Sequence, residues 1–253
     1  MKYLRMARSG GLEWAQLDGD WAVPLSAAPW EPGAHAAAAR VPLASVRLAA
    51  PAVPTKVVCV GRNYREHAAE MGSDVPVEPL LFLKPPSALL EPGGAIVFPP
   101  QSRHLSYEGE LAVVMGRRCR DAAPDEALDY VFGYTCANDV TARDLQKADG
   151  QWTRGKGFDT FLPLGPYLVT GLPWEGLRVR TRVSGETRQD GNTRDMVFSV
   201  PYLISYISQV MTLEPGDLIL TGTPPGVGSM GVEDTVEVEV EGIGTLQNRV
   251  RAK

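Results

Sequence analysis

The chain has 253 residues, of which 44% are hydrophobic and 22% charged, so its composition is that of a globular protein and not of a disordered chain. The formal net charge is −5 and no Lys/Arg-rich run occurs, which argues against nucleic acid as a partner. No stretch approaches the ~20 apolar residues of a membrane helix, and the N-terminus lacks the apolar core of a signal peptide, so we expect a cytoplasmic protein without a membrane partner.

The N-terminal region, residues 1–52, is predicted to be a small separate β-unit, and residues 53–253 to form the larger, metal-binding catalytic domain. Candidate strands lie over 1–6 and 13–17. Proline at positions 51 and 54 is typical of a linker between the two parts.

The larger part alternates short strands with a few short helices. Apolar runs bounded by Gly or Pro predict strands over 57–60, 80–83, 96–98, 107–115, 131–137, 177–183, 217–221 and 235–240. Helices are predicted over 64–71, 125–129, 141–147 and 200–211, and a loop over 148–166. Together these elements predict an α+β fold dominated by a mixed β-sheet or rolled sandwich. The three cysteines show no C-x-x-C spacing and are interpreted as buried free thiols.

Two glutamates, Glu108 and Glu110, lie one residue apart in the strand predicted over 107–115. Side chains alternate along a strand, so both should point the same way, on a face continued by Ala112 and Val114. Two carboxylates on an apolar face are costly unless a cation lies between them. Carboxylate oxygens suit Mg²⁺, Mn²⁺ or Ca²⁺ better than zinc. A solvated edge strand is the alternative explanation of this common pattern.

A third acidic residue, Asp139, follows the apolar run 134–137. Acidic residues in loops at strand ends are frequent ligands. The alternative is that Asp139 caps the helix predicted over 141–147. Periodicity alone does not show that the strands carrying Glu110 and Asp139 are neighbours.

Six stretches, taken together and in order, resemble the fumarylacetoacetate hydrolase family. They lie within residues 56–230 and are VGRNY (60–64) with HAAE (67–70), FLKPP (82–86), YEGELAVVMG (107–116), NDVTARDLQ (138–146), QWTRGKGFDT (151–160) and TGTPPGVG (221–228). The resemblance implies a mixed β-roll core and a homodimer. It also implies that Glu108, Glu110 and Asp139 bind the metal, usually Mg²⁺ or Mn²⁺, with Ca²⁺ also occurring in the family.

The resemblance implies a small 2-keto or 2,4-diketo acid as substrate. Its 1-carboxylate and 2-oxo oxygen would chelate the cation, which stabilises an enolate. We predict a hydrolase or lyase that cleaves or decarboxylates 3-acylpyruvates or oxaloacetate. One alternative is a 2-hydroxyhepta-2,4-diene-1,7-dioate isomerase or 5-oxopent-3-ene-1,2,5-tricarboxylate decarboxylase of aromatic degradation. An alternative of another class is a catalytically inactive metabolite-binding protein.

Three residues are assigned catalytic roles by the resemblance. His67 and Glu70 share one face of a predicted helix, and the family places such a pair on a lid, where the oriented imidazole acts as general base for water. Lys156, between Gly155 and Gly157, would stabilise developing oxyanion charge. From the residues alone, an exposed helical pair and a solvated loop lysine are the alternatives.

Substrate contacts are assigned to four further residues. Arg143 and Gln146 lie three apart on the predicted helix 141–147 and could bind the substrate carboxylate, although surface positions are the alternative. Thr223 resembles a family position whose hydroxyl and backbone hold that carboxylate. Arg62 is expected to contact the substrate or to anchor the lid.

Overall fold

The computed structural model describes residues 1–8, 10–70, 72 and 74–253 of the chain. Within these residues it contains twenty β-strands and four α-helices, which confirms the predicted α+β class with few short helices. The strands are β1 (Lys2–Arg8), β2 (Gly11–Asp18), β3 (Trp21–Pro24), β4 (Val41–Pro42), β5 (Arg47–Ala49), β6 (Val57–Gly61), β7 (Leu80–Lys84), β8 (Leu89–Leu90), β9 (Ala95–Phe98), β10 (Leu105–Tyr107), β11 (Gly109–Met115), β12 (Val131–Asn138), β13 (Thr141–Ala142), β14 (Leu162–Val169), β15 (Arg178–Val183), β16 (Glu186–Asn192), β17 (Leu218–Leu220), β18 (Gly228–Ser229), β19 (Thr235–Val240) and β20 (Gly244–Ala252). The α-helices are α1 (Arg65–Glu70), α2 (Arg143–Asp149), α3 (Thr153–Lys156) and α4 (Val200–Val210).

The largest sheet has the strand order β4-β3-β2-β1-β14-β12-β11-β17-β6-β7, with β5 paired to β1 and β8 to β14. β11 is antiparallel to both β12 and β17, and β17 is parallel to β6. All of β11 is buried, and its unbroken apolar run after Glu110 is what a strand covered on both faces requires. The strands that lead to the predicted site residues are therefore adjacent at the centre of this sheet.

A second sheet, in the order β16-β15-β19-β20-β9, packs against the first. On β19, valines point inward and the glutamates between them stay partly exposed, as strand alternation requires. Leu111 and Val113 of β11 share one core cluster with Val179 and Val238 of the second sheet. This face-to-face packing confirms the predicted mixed β-roll or sandwich core.

The N-terminal segment contributes β1 to β5 and a small core of its own, formed by Leu4, Met6, Ala15 and Ala22. β1 also pairs with β14, so the sheet continues from this segment into the rest of the chain. Shared hydrogen bonding does not decide whether the segment folds by itself. The division into residues 1–52 and 53–253 stays a prediction.

The secondary-structure prediction is wrong for residues 148–166, where a loop was expected. This segment contains α3 and the start of β14. β14 is almost wholly buried between β12 and β1, and that burial outweighs the poor strand propensity of Gly165 and Pro166. Strands β16 and β20 were not predicted either.

Three predicted elements are displaced or divided. The strand expected over 107–115 is split into β10 and β11 at Glu108. The helix expected over 64–71 spans Arg65–Glu70, and Met71 lies outside the described residues. The helix expected over 125–129 is a 3₁₀-helix over Ala127–Tyr130.

Two features expected from composition can be compared with the structure. Cys59, Cys119 and Cys136 are buried free thiols, as predicted. Across the described part of the chain, no helix combines the length and the apolar character needed to cross a bilayer.

Candidate active site

Four central strands of the largest sheet bring predicted site residues to the same end of the sheet. β11 is antiparallel to β12 and β17, and β6 is parallel to β17. The C-terminal ends of β6, β12 and β17 therefore lie beside the N-terminal end of β11. Glu110 pairs with Ala137, two residues before Asp139. The segments that follow β6 and β17 carry Arg62 and Thr223 to the same end of the sheet. The sheet topology therefore supplies the proximity that the sequence pattern could not show.

Three acidic side chains form the centre of this site. Glu108, Glu110 and Asp139 each offer a carboxylate oxygen, and these oxygens lie within 4.8 Å of one another. Their exposures are only 6%, 2% and 1%. Glu108 lies at the break between β10 and β11, where its N–H donates to Asn138 Oδ1 at 3.0 Å. A side chain on Gly109, between the two glutamates, would collide with Thr181 Oγ1 of the second sheet.

Two of these carboxylates contact cationic side chains. Lys156 Nζ lies 2.8 Å from Glu108 Oε2 and 2.7 Å from Asp139 Oδ2. Arg143 Nη2 lies 2.5 Å from Glu108 Oε1, and Lys84 Nζ lies 2.7 Å from Asp139 Oδ1. Predicted Lys156 and Arg143 thus lie at the acidic cluster, and Lys84 is a participant that sequence reasoning missed.

Glu110 has a different environment. It accepts a hydrogen bond from the Gly222 N–H at 2.7 Å. Among the described residues, no ammonium or guanidinium group lies within salt-bridge distance of Glu110. Glu110 is therefore the buried carboxyl of the cluster whose charge is least compensated.

The pKa shifts follow these contacts. Burial raises the pKa of Glu110, and the negative charges of Asp139 and Glu108 raise it further. Burial also acts to raise the pKa of Glu108, but the Lys156 and Arg143 cations outweigh burial and lower it. Burial lowers the pKa of Lys156, but Asp139 and Glu108 outweigh that effect and raise it. A cation that binds beside Glu110 would therefore compete with a proton there.

A cavity of about 280 Å³ opens beside the acidic cluster. Eight of the ten predicted site residues line it: Arg62, His67, Glu108, Glu110, Arg143, Gln146, Lys156 and Thr223. Phe82 and Trp152, which were not predicted, form part of its apolar wall and contact each other edge to face. Asp139 and Glu70 are not among the lining residues, although Asp139 contacts Lys156 and Glu70 contacts His67. The volume suits a small metabolite.

His67 and Glu70 form the expected pair on α1. His67 Nδ1 lies 3.3 Å from Glu70 Oε2, and His67 is only 5% exposed. Both Glu70 oxygens also accept from the Gly226 N–H at 3.2 Å. Glu70 thus ties α1 to the loop that carries Thr223. The role of α1 as a lid stays a prediction.

The predicted substrate-binding residues lie close to the cluster. Gln146 Oε1 accepts from Arg143 Nη1 at 2.7 Å, which leaves the Gln146 NH₂ group as a donor for a ligand. Thr223 Oγ1 donates to Gly109 O at 2.9 Å. Arg62 has a φ of 62°, and its buried Nε has no hydrogen-bond partner among the described residues. A ligand carboxylate in the cavity could satisfy that donor.

The residues present fit a hard divalent cation. The converging donors are all carboxylate oxygens, which Mg²⁺, Mn²⁺ and Ca²⁺ prefer. In addition, the poorly compensated charge of Glu110 is what a cation at this position would stabilise. The acidic cluster could therefore bind a divalent metal, and Mg²⁺, Mn²⁺ and Ca²⁺ all suit its oxygen ligands.

Comparison with known proteins finds relatives that cover the whole chain. Residues 56–251 match the family model described as fumarylacetoacetate (FAA) hydrolase C-terminal, and residues 1–51 match the model described as Rv2993c-like, N-terminal. Protein Rv2993c of Mycobacterium tuberculosis is 45% identical over 100% of this chain and 99% of its own length. The oxaloacetate tautomerase FAHD1 of Arabidopsis thaliana is 49% identical over 76% of this chain and 89% of its own length.

The fold has a close counterpart among solved structures. The 2-hydroxyhepta-2,4-diene-1,7-dioate isomerase from Mycobacterium marinum has 43% sequence identity and a TM-score of 0.93, with 100% of this chain and 99% of that chain covered. The matching stretches, the fold and the family model all agree, and the tautomerase and isomerase relatives carry the names of enzymes. The chain belongs to the fumarylacetoacetate hydrolase family.

Proposed function

We propose that this chain is a divalent-metal-dependent enzyme that moves a proton at the carbon next to the keto group of a small 2-keto diacid, with oxaloacetate as the first candidate. The observation that carries the proposal is the buried set Glu108, Glu110 and Asp139 beside a cavity that also contains His67 and Lys156. An enolate is the intermediate that this chemistry requires. The cavity offers a base and a buried cation to form and stabilise it.

The charges of the site favour a dianionic substrate. Three carboxylates, of Glu108, Glu110 and Asp139, face three cations, of Lys84, Lys156 and Arg143. The charges of this buried cluster balance, so a divalent cation would add two positive charges, and Arg62 and Lys147 add further positive charge to the cavity lining. A substrate with two carboxylates compensates more of this positive charge than a monoanion does.

The metal would be held by Glu108, Glu110 and Asp139. When bound there, a divalent cation supplies Lewis acidity that stabilises negative charge on the keto acid. The remaining work falls to the chain itself. His67, oriented by Glu70, removes or returns the proton at carbon, and Lys156 stabilises the negative charge that develops on oxygen.

The ends of the substrate are assigned to separate groups of the cavity. The NH₂ group of Gln146 and the Arg143 guanidinium bind the carboxylate next to the keto group. The Nε of Arg62, which has no partner in the described part of the chain, provides a donor for the second carboxylate. Phe82 and Trp152 exclude water from the intervening carbons, which keeps the proton transfer between His67 and substrate.

Hydrolysis or decarboxylation of 3-acylpyruvates or oxaloacetate is the second candidate. It is favoured by the His67–Glu70 pair, which could activate water as well as accept a proton from carbon. Both reactions proceed through the same type of enolate, so the residues around the metal do not separate them. Proton transfer ranks first because relatives of this chain are named oxaloacetate tautomerase and dienedioate isomerase.

A substrate panel tests both candidates. The enol of oxaloacetate is followed by its ultraviolet absorbance, and pyruvate is assayed after incubation with oxaloacetate or acetylpyruvate, with Mg²⁺ and with Mn²⁺. We expect faster enol–ketone conversion than in a chelator-treated control. The enzymatic function would be rejected, and a metabolite-binding protein favoured, if the protein binds metal but shows none of three activities. These activities are enol–ketone conversion, pyruvate release and isomerisation of 2-hydroxyhepta-2,4-diene-1,7-dioate.

Assembly as a homodimer is proposed from the family resemblance alone. Light scattering after gel filtration measures the molar mass directly. A mass near twice the 27.3 kDa of one chain supports the proposal, and a mass of one chain contradicts it.

A further inference from the structure

Gln189 connects the two segments that build the active site. It lies on β16 and is fully buried. Its Oε1 accepts from the N–H of Gly109, the residue between the two glutamates, at 3.0 Å. Its Nε2 donates to Thr223 Oγ1 at 2.7 Å and to Pro224 O at 2.8 Å. One side chain thus fixes the spacing between the acidic strand and the Thr223 loop.

The orientation of the Gln189 amide is determined by its backbone partners. A backbone N–H can only donate, and a backbone carbonyl can only accept. Gly109 N–H therefore requires the amide oxygen, and Pro224 O requires the NH₂ group. The exchange of oxygen and nitrogen that often leaves amide positions ambiguous is excluded here.

The same logic determines the direction of the Thr223 hydroxyl. Its oxygen accepts from Gln189, so its single proton is left for Gly109 O, 2.9 Å away. A ligand that reaches this oxygen from the cavity meets a lone pair and not a proton. Turning the proton toward the ligand would leave the buried Gly109 carbonyl without this donor, which is costly.

We propose that Gln189 is a positioning residue that makes the Thr223 hydroxyl a hydrogen-bond acceptor toward the cavity. The ligand oxygen beside it then bears a proton, as an enol hydroxyl or a water does and a carboxylate does not. This inference rests on the proposed function for the identity of the enol. The carboxylate next to the keto group is bound by donors instead: the NH₂ group of Gln146, Arg143, and the Thr223 N–H, which has no acceptor among the described residues.

This assignment differs from the role that the family resemblance implies for Thr223, and oxalate separates the two. Oxalate is a dianion without an O–H group, and its affinity is measured by calorimetry in the presence of Mg²⁺. The substitution Thr223→Val should change oxalate affinity by less than about twofold, because it removes an acceptor that oxalate does not use. A loss of tenfold or more would show that the hydroxyl donates to the carboxylate, and would overturn the proposal.

Enol oxaloacetate should respond differently to the same substitution. Thr223→Val should raise its KM about five- to tenfold, which is the loss of one hydrogen bond. Thr223→Ser restores the hydroxyl and should recover most of that loss. An equal effect of Thr223→Val on oxalate and on the enol would contradict the proposal.

The role of Gln189 is tested by a double-mutant cycle on the same KM. In the Gln189→Met background the Thr223 hydroxyl has lost its hydrogen bond from Gln189 and is no longer fixed as an acceptor. Thr223→Val should then change KM by less than twofold. A purely structural Gln189 would leave the five- to tenfold effect of Thr223→Val unchanged, and the two substitutions would simply add.

Neutron diffraction from deuterium-exchanged crystals decides the question without any turnover. Deuterium on Thr223 Oγ1 directed at Gly109 O is expected, and deuterium directed into the cavity would refute the inference. If oxaloacetate is not converted, the proposed function fails, while the oxalate titration and the neutron map still determine the polarity of this hydroxyl.

Discussion

Replacing Glu110 by glutamine distinguishes two effects of this carboxyl. It destabilises the metal-free protein, and it contributes to metal binding. Glu110 is 2% exposed and accepts one backbone N–H, from Gly222. In Glu110→Gln the amide oxygen can keep that bond, and the new NH₂ group can donate to the neighbouring carboxylates. The substitution therefore removes a poorly compensated buried charge at nearly constant volume.

The expected magnitudes follow from this environment. Removing the uncompensated charge should stabilise the metal-free protein by about 1–3 kcal/mol, or about 2–12 °C in Tm for a chain of this length. Because the folded-state pKa of Glu110 is raised, the parent loses stability as pH rises from the unfolded-state pKa through the folded-state pKa, so the difference should widen with rising pH until Glu110 is ionised. The parent should gain about 2.7 kcal/mol, or about 5–11 °C, from metal at one hundred times its Kd. The variant should lose most of that gain.

Differential scanning calorimetry measures both effects, first with a chelator and then with Mn²⁺. Glu31→Gln, at an exposed glutamate, is the matched control and should change neither Tm. A variant that is less stable without metal, and that is stabilised by Mn²⁺ as much as the parent, would refute the assignment of Glu110 as an uncompensated metal ligand.

Three further outcomes are expected. Metal binding should tighten as pH rises until Glu110 is ionised, with proton release detectable by calorimetry in two buffers; constant affinity without proton release would contradict the raised pKa of this group. His67→Ala should lower turnover by about 10²–10⁴-fold and leave metal affinity unchanged. His35→Ala, at an exposed histidine, is the control and should not lower turnover. Full activity of the His67 variant would remove His67 from the mechanism. Lys84→Met should destabilise the metal-free protein by about 3 kcal/mol in urea unfolding, because Asp139 stays buried with only Lys156 left to compensate its charge. Lys253→Met is the exposed control, and equal stability of the two lysine variants would rule out the buried pair.

The acidic strand could be predicted from sequence because its signal is local. β11 is covered on both faces, so it had to be a continuous apolar run, and a pair of carboxylates directly before that run is conspicuous. What could not be predicted is the pairing that places Glu110 beside Asp139, since strand order is a long-range property. The family resemblance, and not periodicity, provided that link.

Lys84 was missed because a lysine ending an apolar strand is usually solvated. It is buried only because Asp139, 55 residues away in the chain, compensates its charge. Gln189 was missed for a similar reason, since β16 has no apolar residues and therefore no strand pattern. Its partners are Gly109, Thr223 and Pro224, which a sequence does not place together.

β20 is a different case, because its signal was present. Leu246, Asn248 and Val250 alternate as buried residues with exposed residues between them, as in a strand with one covered face. Asn248 at an inward position breaks the apolar pattern, but its amide donates to the carbonyls of Glu91 and Gly94. A polar residue that finds partners at every donor can replace an apolar one, which weakens pattern-based prediction at such positions.

The lysines that contact Glu108 and Asp139 have a practical consequence for how this protein is prepared. Since Lys84 and Lys156 already neutralise those carboxylates, we expect the chain to fold without a metal, unlike small zinc domains that are unfolded without their ion. Chelation should therefore strip the ion and leave an intact apoprotein. One such preparation can be reloaded in parallel with magnesium, manganese or calcium, so that the choice among them becomes a titration of a single sample.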